Sequence, residues 1–432
     1  MVSSRTSLKS FLAAARKALA TPASQRPSSP LTFVVGNESA DLDSLCSALL
    51  YAYFRTQAPP HTLHIPLSNL PKADLNLRPE LGAVCRSAGL QPSDLITLSD
   101  LPRDSQTGKI LLSPDSTRWL LVDHNVLTGP LTPFSKQVIG CVDHHEDEGL
   151  VPQDSSPRVF ARCGSCMSLV VDQCREIWSS LPPSPADDAS LAAVAMAPIL
   201  VDTTNLTSKD KTTDWDTKAA EFAESKLGDP NLQAASSSTS SSGIQQQDGN
   251  PATNEAYDRA GYFDHLTKLK DDINGLSYRD ILRKDYKRWT DGGLNLGIST
   301  VVQGFDNVVG LPGDSGDGGG GKKQFLEALK SWAEEQELDI AAVMTVSKPD
   351  GVFTRELLVW ALNEQAVKVV KQFVQRSGED LKLATWKEGE MDATDKEEGT
   401  EWRACWRQEN VKHSRKQVAP MLREAMKGSP RL

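Results

Sequence analysis

Four short apolar runs in the first half of the chain each stop at an acidic residue or a histidine. Phe33-Val34-Val35 passes through Gly36 and Asn37 to Asp41 and Asp43, and Trp119-Leu120-Leu121-Val122 stops at Asp123. Val138-Ile139-Gly140-Cys141-Val142 stops at Asp143-His144-His145, and Pro198-Ile199-Leu200-Val201 at Asp202. Runs of this length fit strands covered on both faces. Leu45, Leu49 and Leu50 follow the first run at helical spacing, so its turn leads into a helix. The pattern predicts a further strand over 63–65 and helices over 79–88 and 166–178. A loop over 102–116 separates them, and a helix over 190–196 leads into the strand that ends at Asp202. Strands alternating with helices predict a doubly wound, mostly parallel α/β sheet.

The composition changes at Gly228, where Ser, Gln, Gly and Asn take over and 236–242 is Ser-rich. Such a tract cannot bury enough apolar surface to fold, so 228–255 is expected to be a flexible linker. It divides a first domain, 1–227, from a smaller α/β domain, 256–432. In the latter the pattern predicts helices over 262–274 and 325–334 and strands over 294–303, 340–346 and 356–361. A glycine-rich connection is expected over 313–321 and an acidic surface loop over 388–401.

The first 37 residues contain no acidic side chain, while Leu8, Phe11, Leu12, Ala15 and Leu19 recur at helical spacing. An amphipathic helix packed on the first domain is expected, with a mitochondrial presequence as the alternative to a cytoplasmic protein. No apolar run reaches the roughly 20 residues of a spanning helix, so a soluble protein without membrane contact is expected. A formal net charge of -10 over 432 residues disfavours a general nucleic-acid binder. Local cations or metals can still attract a polyanion. The seven cysteines are scattered and odd in number, which suits a reducing compartment.

One Asp-x-Asp after a strand reads first as a helix cap and only second as a metal site. Recurrence at four run ends favours the metal. Two neighbouring divalent ions need several oxygen donors and an imidazole from separate elements, and Asp41, Asp43, Asp123, His144 and Asp202 meet that need. Two other patterns are set aside. Gly316 to Lys323 has P-loop spacing but Lys323 where Ser or Thr should stand. Cys163 and Cys166 have the spacing of a redox or zinc pair without a second pair to complete a zinc site, and are read as structural.

The segments GNESADLDS, LVDHN, VDHH and ILVDTTN, in this order, resemble the motif series of the DHH phosphoesterase superfamily. Its relatives include family II inorganic pyrophosphatases, prune proteins and the cytosolic exopolyphosphatases of fungi. Gly164-Ser165-Cys166 and Ser168-Leu169-Val170 fit the same series. Leu282-Arg283-Lys284-Asp285-Tyr286-Lys287 and Ser414-Arg415-Lys416-Gln417-Val418-Ala419-Pro420 resemble the second domain, DHHA2.

The resemblance implies a two-metal centre (Mg²⁺, Mn²⁺ or Co²⁺) on Asp41, Asp43, Asp123, His144 and Asp202, with Asp123 as the bridge. It implies His145 facing a substrate phosphate, and an active site in the cleft between the two domains. Arg415 and Lys416, with Lys284 and Lys287, would hold further phosphates, although alone these cations read as solvated helix faces. Asn37 stands where pyrophosphatases carry a histidine ligand, and its amide oxygen would hold metal more weakly. That departure favours the exopolyphosphatase branch. The expected function is release of terminal phosphate from inorganic polyphosphate by a monomer. The alternatives are a hydrolase of pyrophosphate, nucleoside tetraphosphates or cyclic nucleotides, and a catalytically idle protein-binding relative.

Overall fold

The computed structural model describes residues 5–25, 30–227, 257–311, 321–394 and 401–428. The expected linker at 228–255, nearly all of the glycine-rich tract and residues 395–400 of the acidic loop therefore lie outside the described residues, save for Gly321. Two compact units divide between Leu269 and Lys270.

The first unit carries a five-stranded sheet with every pairing parallel, in the order β2-β1-β3-β4-β5. Its strands are β1 (Leu31–Val35), β2 (His64–Leu67), β3 (Thr117–Val122), β4 (Val138–Asp143) and β5 (Arg158–Phe160). Successive side chains go to opposite faces. Val34, Leu120, Val122 and Val142 join one buried cluster; Phe33, Val35, Trp119, Leu121 and Cys141 join another. Covering both faces explains why these strands are apolar without alternation. Phe33 and Trp119 stack across neighbouring strands with ring centroids 4.6 Å apart.

Among the described residues this unit also carries helices α1 (Leu8–Ala20), α2 (Leu42–Gln57), α3 (Pro79–Ser87), α4 (Cys166–Ser180), α5 (Pro185–Thr203), α6 (Asp214–Ser225) and most of α7 (Arg259–Asp271). The amphipathic reading of the N-terminus is realised in α1, whose Leu8, Phe11, Leu12, Ala15 and Leu19 are all buried. No helix among the described residues is long and apolar enough to cross a membrane. Helix α7 buries Tyr262 and Leu266 in the first core, and the Tyr262 hydroxyl donates to the Ala193 carbonyl at 3.1 Å.

Residues 198–201 form no strand. They continue α5, a single helix of 19 residues, and Asp202 lies in its last turn. A continuous apolar run cannot by itself distinguish a buried helix from a buried strand. Here the preceding alanine-rich stretch propagates helix through Pro198, at the loss of one N–H donor. The sheet's fifth strand is β5, three half-buried residues too short to show a period.

The order of the strands fixes where chemistry can sit. The chain reverses direction across the sheet between β1 and β3, and ligands in such sheets bind beyond the strands' carboxyl ends at that point. The turn after β1 is tight. A Cβ on Gly36 would lie 2.6 Å from the Ser44 Cβ and 2.7 Å from its carbonyl oxygen, so only glycine lets α2 start this close.

The second unit is a seven-stranded mixed sheet, order β10-β12-β9-β8-β7-β6 with β11 on β12. Its strands are β6 (Tyr286–Asp291), β7 (Leu294–Val301), β8 (Ile340–Ser347), β9 (Thr354–Ala361), β10 (Leu383–Thr385), β11 (Ala393–Thr394) and β12 (Trp402–Gln408). Among its described strands only β7 and β8 pair in parallel, and the connection between them contains α9 (Phe305–Val309) and α10 (Lys322–Glu335). Helix α8 (Tyr278–Lys284) contributes to one buried cluster; α11 (Glu364–Leu381) and α12 (Arg415–Lys427) contribute to another. Part of the expected acidic loop is ordered as β11, paired with β12.

Candidate metal centre

Asp41 is the N-cap of α2, its Oδ1 accepting from the Ser44 N–H at 3.0 Å, so the capping reading holds for this residue. Asp43, two residues on, is buried and reaches the start of α4 instead. Its carboxylate accepts from Cys166 N at 2.7 Å, Met167 N at 2.9 Å and Ser165 Oγ at 2.8 Å. Burial pushes the Asp43 carboxyl well above its usual range, and Asp123, Asp202 and Asp41 push the same way against His144. Three of the other sequence-predicted ligands thus share its electrostatic neighbourhood with His144.

Asp123 ends β3 at a left-handed φ of 60°. Its Oδ2 accepts from Ser44 Oγ at 2.6 Å and Asn37 Nδ2 at 2.8 Å. Its Oδ1 lies 3.2 Å from His144 Nε2 and 3.7 Å from His145 Nδ1. Burial alone would raise this carboxyl; the bond to His144, the charges of both histidines and the Ser44 hydroxyl outweigh it and hold Asp123 far below the usual range. Ligand atoms of Asp123, His144 and His145 all fall within 4.8 Å of one another.

Each imidazole is oriented by a second contact. A carbonyl can only accept, so His144 Nδ1 donates to the Cys163 carbonyl at 3.1 Å and turns Nε2 toward Asp123. Such an outer hydrogen bond is the usual arrangement of a metal-binding histidine. His145 Nδ1 lies 2.8 Å from Asp143, which also accepts from His145 N at 3.1 Å and Asn125 Nδ2 at 2.7 Å. Against the upward push of burial, these contacts keep the Asp143 carboxyl lowered.

Asn37 lies against Asp123. Its amide oxygen accepts from Ser39 N at 2.9 Å, and its amide nitrogen donates to the Asp123 carboxylate and carbonyl. The amide therefore positions Asp123. Sequence reasoning also missed Ser44, Asn125 and Asp143 as parts of the site. Asp143 is the first residue of the VDHH segment, and its place at the end of an apolar run was the signal that could have found it.

The expected phosphate-binding cations lie in the second unit. Arg415, at the start of α12, donates to the Asp285 carbonyl at 3.0 Å and carboxylate at 2.6 Å. Lys284 Nζ donates to the Lys270 carbonyl at 3.1 Å, and Lys416 is exposed. Lys287 is on β6, not on the helix face that its spacing suggested.

A family model for the N-terminal domain of the DHH family matches residues 32–197, and one for the DHHA2 domain matches residues 264–425. The chain belongs to the DHH family. A DHH-family relative from Schizosaccharomyces pombe, provisionally named an exopolyphosphatase, is 31% identical over 418 residues, 94% of each chain. The human exopolyphosphatase PRUNE1 is 25% identical, over 94% of this chain and 77% of its own. The fold is shared with a Methanococcus jannaschii protein provisionally titled a family II inorganic pyrophosphatase, at 18% identity and a TM-score of 0.55. That match covers 92% of this chain and all of the other.

DHH phosphoesterases depend on divalent metals, and the residues here fit such an ion. Asp123 with the His144 imidazole, whose Nδ1 is occupied by the Cys163 carbonyl, offers hard and borderline donors suited to a divalent ion. The push of three carboxylates on buried Asp43 is what a cation would relieve. Mn²⁺ added to chelator-stripped protein should therefore stabilise it, by about 2.7 kcal/mol at a hundredfold excess over Kd, read as a rise in the thermal midpoint. No rise would contradict the metal assignment. A lowered Asp143 makes a different prediction. Its stabilisation is complete above the ordinary carboxylate value near pH ~4 and is lost as pH falls through the lowered folded value. Asp143→Asn should flatten the acid limb of stability below about pH 4, measured by urea unfolding.

Proposed function

We propose that this protein is a metal-dependent hydrolase that removes terminal phosphate from inorganic polyphosphate. The observation that carries the reading is the gathering of Asp123, His144 and His145 beyond the carboxyl ends of β3 and β4. The supporting context is 31% identity, over 94% of the chain, to a protein named an exopolyphosphatase.

Asp41, Asp43, Asp123, His144 and Asp202 would hold two divalent ions, with Asp123 shared. Bound there, divalent ions supply Lewis-acid charge and lower the pKa of water. The chain's own residues do the rest. Asn37 and Ser44 hold one oxygen of Asp123 while the other faces the imidazoles. Asp143 accepts from His145 Nδ1, so the ring's other nitrogen donates to a phosphate oxygen only in the doubly protonated imidazolium form. The His145 side chain, 23% exposed, is the most accessible of the three. Arg415 suits bidentate capture of a phosphate and Lys416 a point-charge contact.

Purified full-length protein assayed with several divalent metals and polyphosphates of graded length tests the reading. Phosphate release should depend on metal and favour longer chains over pyrophosphate. Faster release from pyrophosphate would support the pyrophosphatase-like alternative, and no metal-dependent turnover would support the idle relative. Two variants divide the roles in the same assay. Asp123→Ala should abolish turnover while the circular dichroism spectrum is kept. Arg415→Ala should chiefly raise KM, and an unchanged KM at every chain length would remove Arg415 from the phosphate site.

A further inference from the structure

We propose that Asp216, outside every motif considered above, is a positioning residue for the metal centre, an inference that rests on the metal-dependent reading just given. Asp216 lies in the first turn of α6 and is fully buried. Part of its bonding is ordinary capping: it accepts from Thr213 N at 2.8 Å and Thr213 Oγ1 at 2.9 Å. A cap needs nothing from a distant segment. Yet the same carboxylate accepts from Gly164 N at 2.9 Å and 3.1 Å, Ser165 N at 3.2 Å and Ser168 Oγ at 2.7 Å, about 50 positions earlier in the chain.

The segment held in this way turns its remaining groups toward the centre. The Cys163 carbonyl accepts from His144 Nδ1, which selects the tautomer that directs Nε2 to Asp123. Ser165 Oγ and the N–H groups of Cys166 and Met167 hold Asp43. One buried carboxylate therefore ties down the turn that orients two expected ligands. The packing leaves no slack: a Cβ on Gly164 would fall 2.5 Å from Thr203 Cγ2 and 3.2 Å from Asp216 Oδ2. Thr203 is the neighbour of Asp202, so α5, α6 and the turn meet at this point. Functional geometry tolerates errors of only about 0.5 Å, so loosening this turn is felt at the centre before it is felt in the fold.

The test is Mn²⁺ titration calorimetry on chelator-stripped full-length protein, with the thermal midpoint measured in parallel. Asp216→Asn should weaken Mn²⁺ binding by about 10- to 100-fold. Ser168→Ala, which removes one donor from the clamp, should weaken it less but in the same direction. Ser7→Ala, which removes the N-cap of α1 and touches nothing at Asp216, should lower the thermal midpoint and leave Mn²⁺ affinity at the wild-type value. Wild-type Mn²⁺ affinity in Asp216→Asn, or equal weakening in Ser7→Ala, would overturn the positioning role. If Asp216→Asn does not fold, wild-type affinity in Ser168→Ala overturns it. A wild-type protein that binds no Mn²⁺ overturns the metal reading and this inference together, and the first titration distinguishes that outcome.

Discussion

Carboxylates buried close together are the constraint around which the first unit is arranged. Asp43, Asp123, Asp143 and Asp216 are all buried, and an ionised carboxylate taken out of water is costly unless donors surround it. The donors come from a few sources. The first N–H groups of α4, where the helix dipole also favours negative charge, meet Asp43. Hydroxyls of Ser44, Ser165, Ser168 and Thr213 meet three of the four, and imidazoles or asparagine amides meet Asp123 and Asp143. Among the described residues no lysine or arginine pairs with any of these four.

Compensation by neutral donors and imidazoles satisfies hydrogen bonding while leaving net negative charge in place. Such an arrangement leaves room for a small cation, whereas lysine or arginine partners would have filled the position permanently. Sheet topology brings the charges together. With β1 and β3 adjacent in an all-parallel sheet, the turn bearing Asp41 and Asp43 and the strand end bearing Asp123 open on the same edge. Gly36 permits the close start of α2 that brings Ser44 against Asp123.

The cysteines in this region illustrate how local spacing misleads. Cys163 and Cys166 are buried thiols; Cys163 Sγ donates to the Ser165 carbonyl and Cys166 Sγ to that of Val142. Burial pushes the Cys166 thiol well up, far from the thiolate that redox or zinc chemistry requires. What the segment contributes is backbone: the Cys163 carbonyl and the Cys166 N–H both serve the centre.

Read alone, the residue order determined the strands β1, β3 and β4, because doubly covered strands leave an uninterrupted apolar record, and the helices whose spacing is amphipathic. It also determined that Asp123, His144 and His145 end adjoining elements, since motif and strand end coincide. Tertiary structure decided the rest. It made 198–201 the end of a helix, because an apolar run carries no period when every side is covered. It turned the Asn37 amide toward Asp123 and Ser39, because which atom of an amide is used depends on the donors that arrive in space. It also placed Asp216 against a turn about 50 residues away, a contact that leaves no trace in local pattern. Hydrogen-bond partners distant in sequence are chosen by packing, and only the folded chain discloses them.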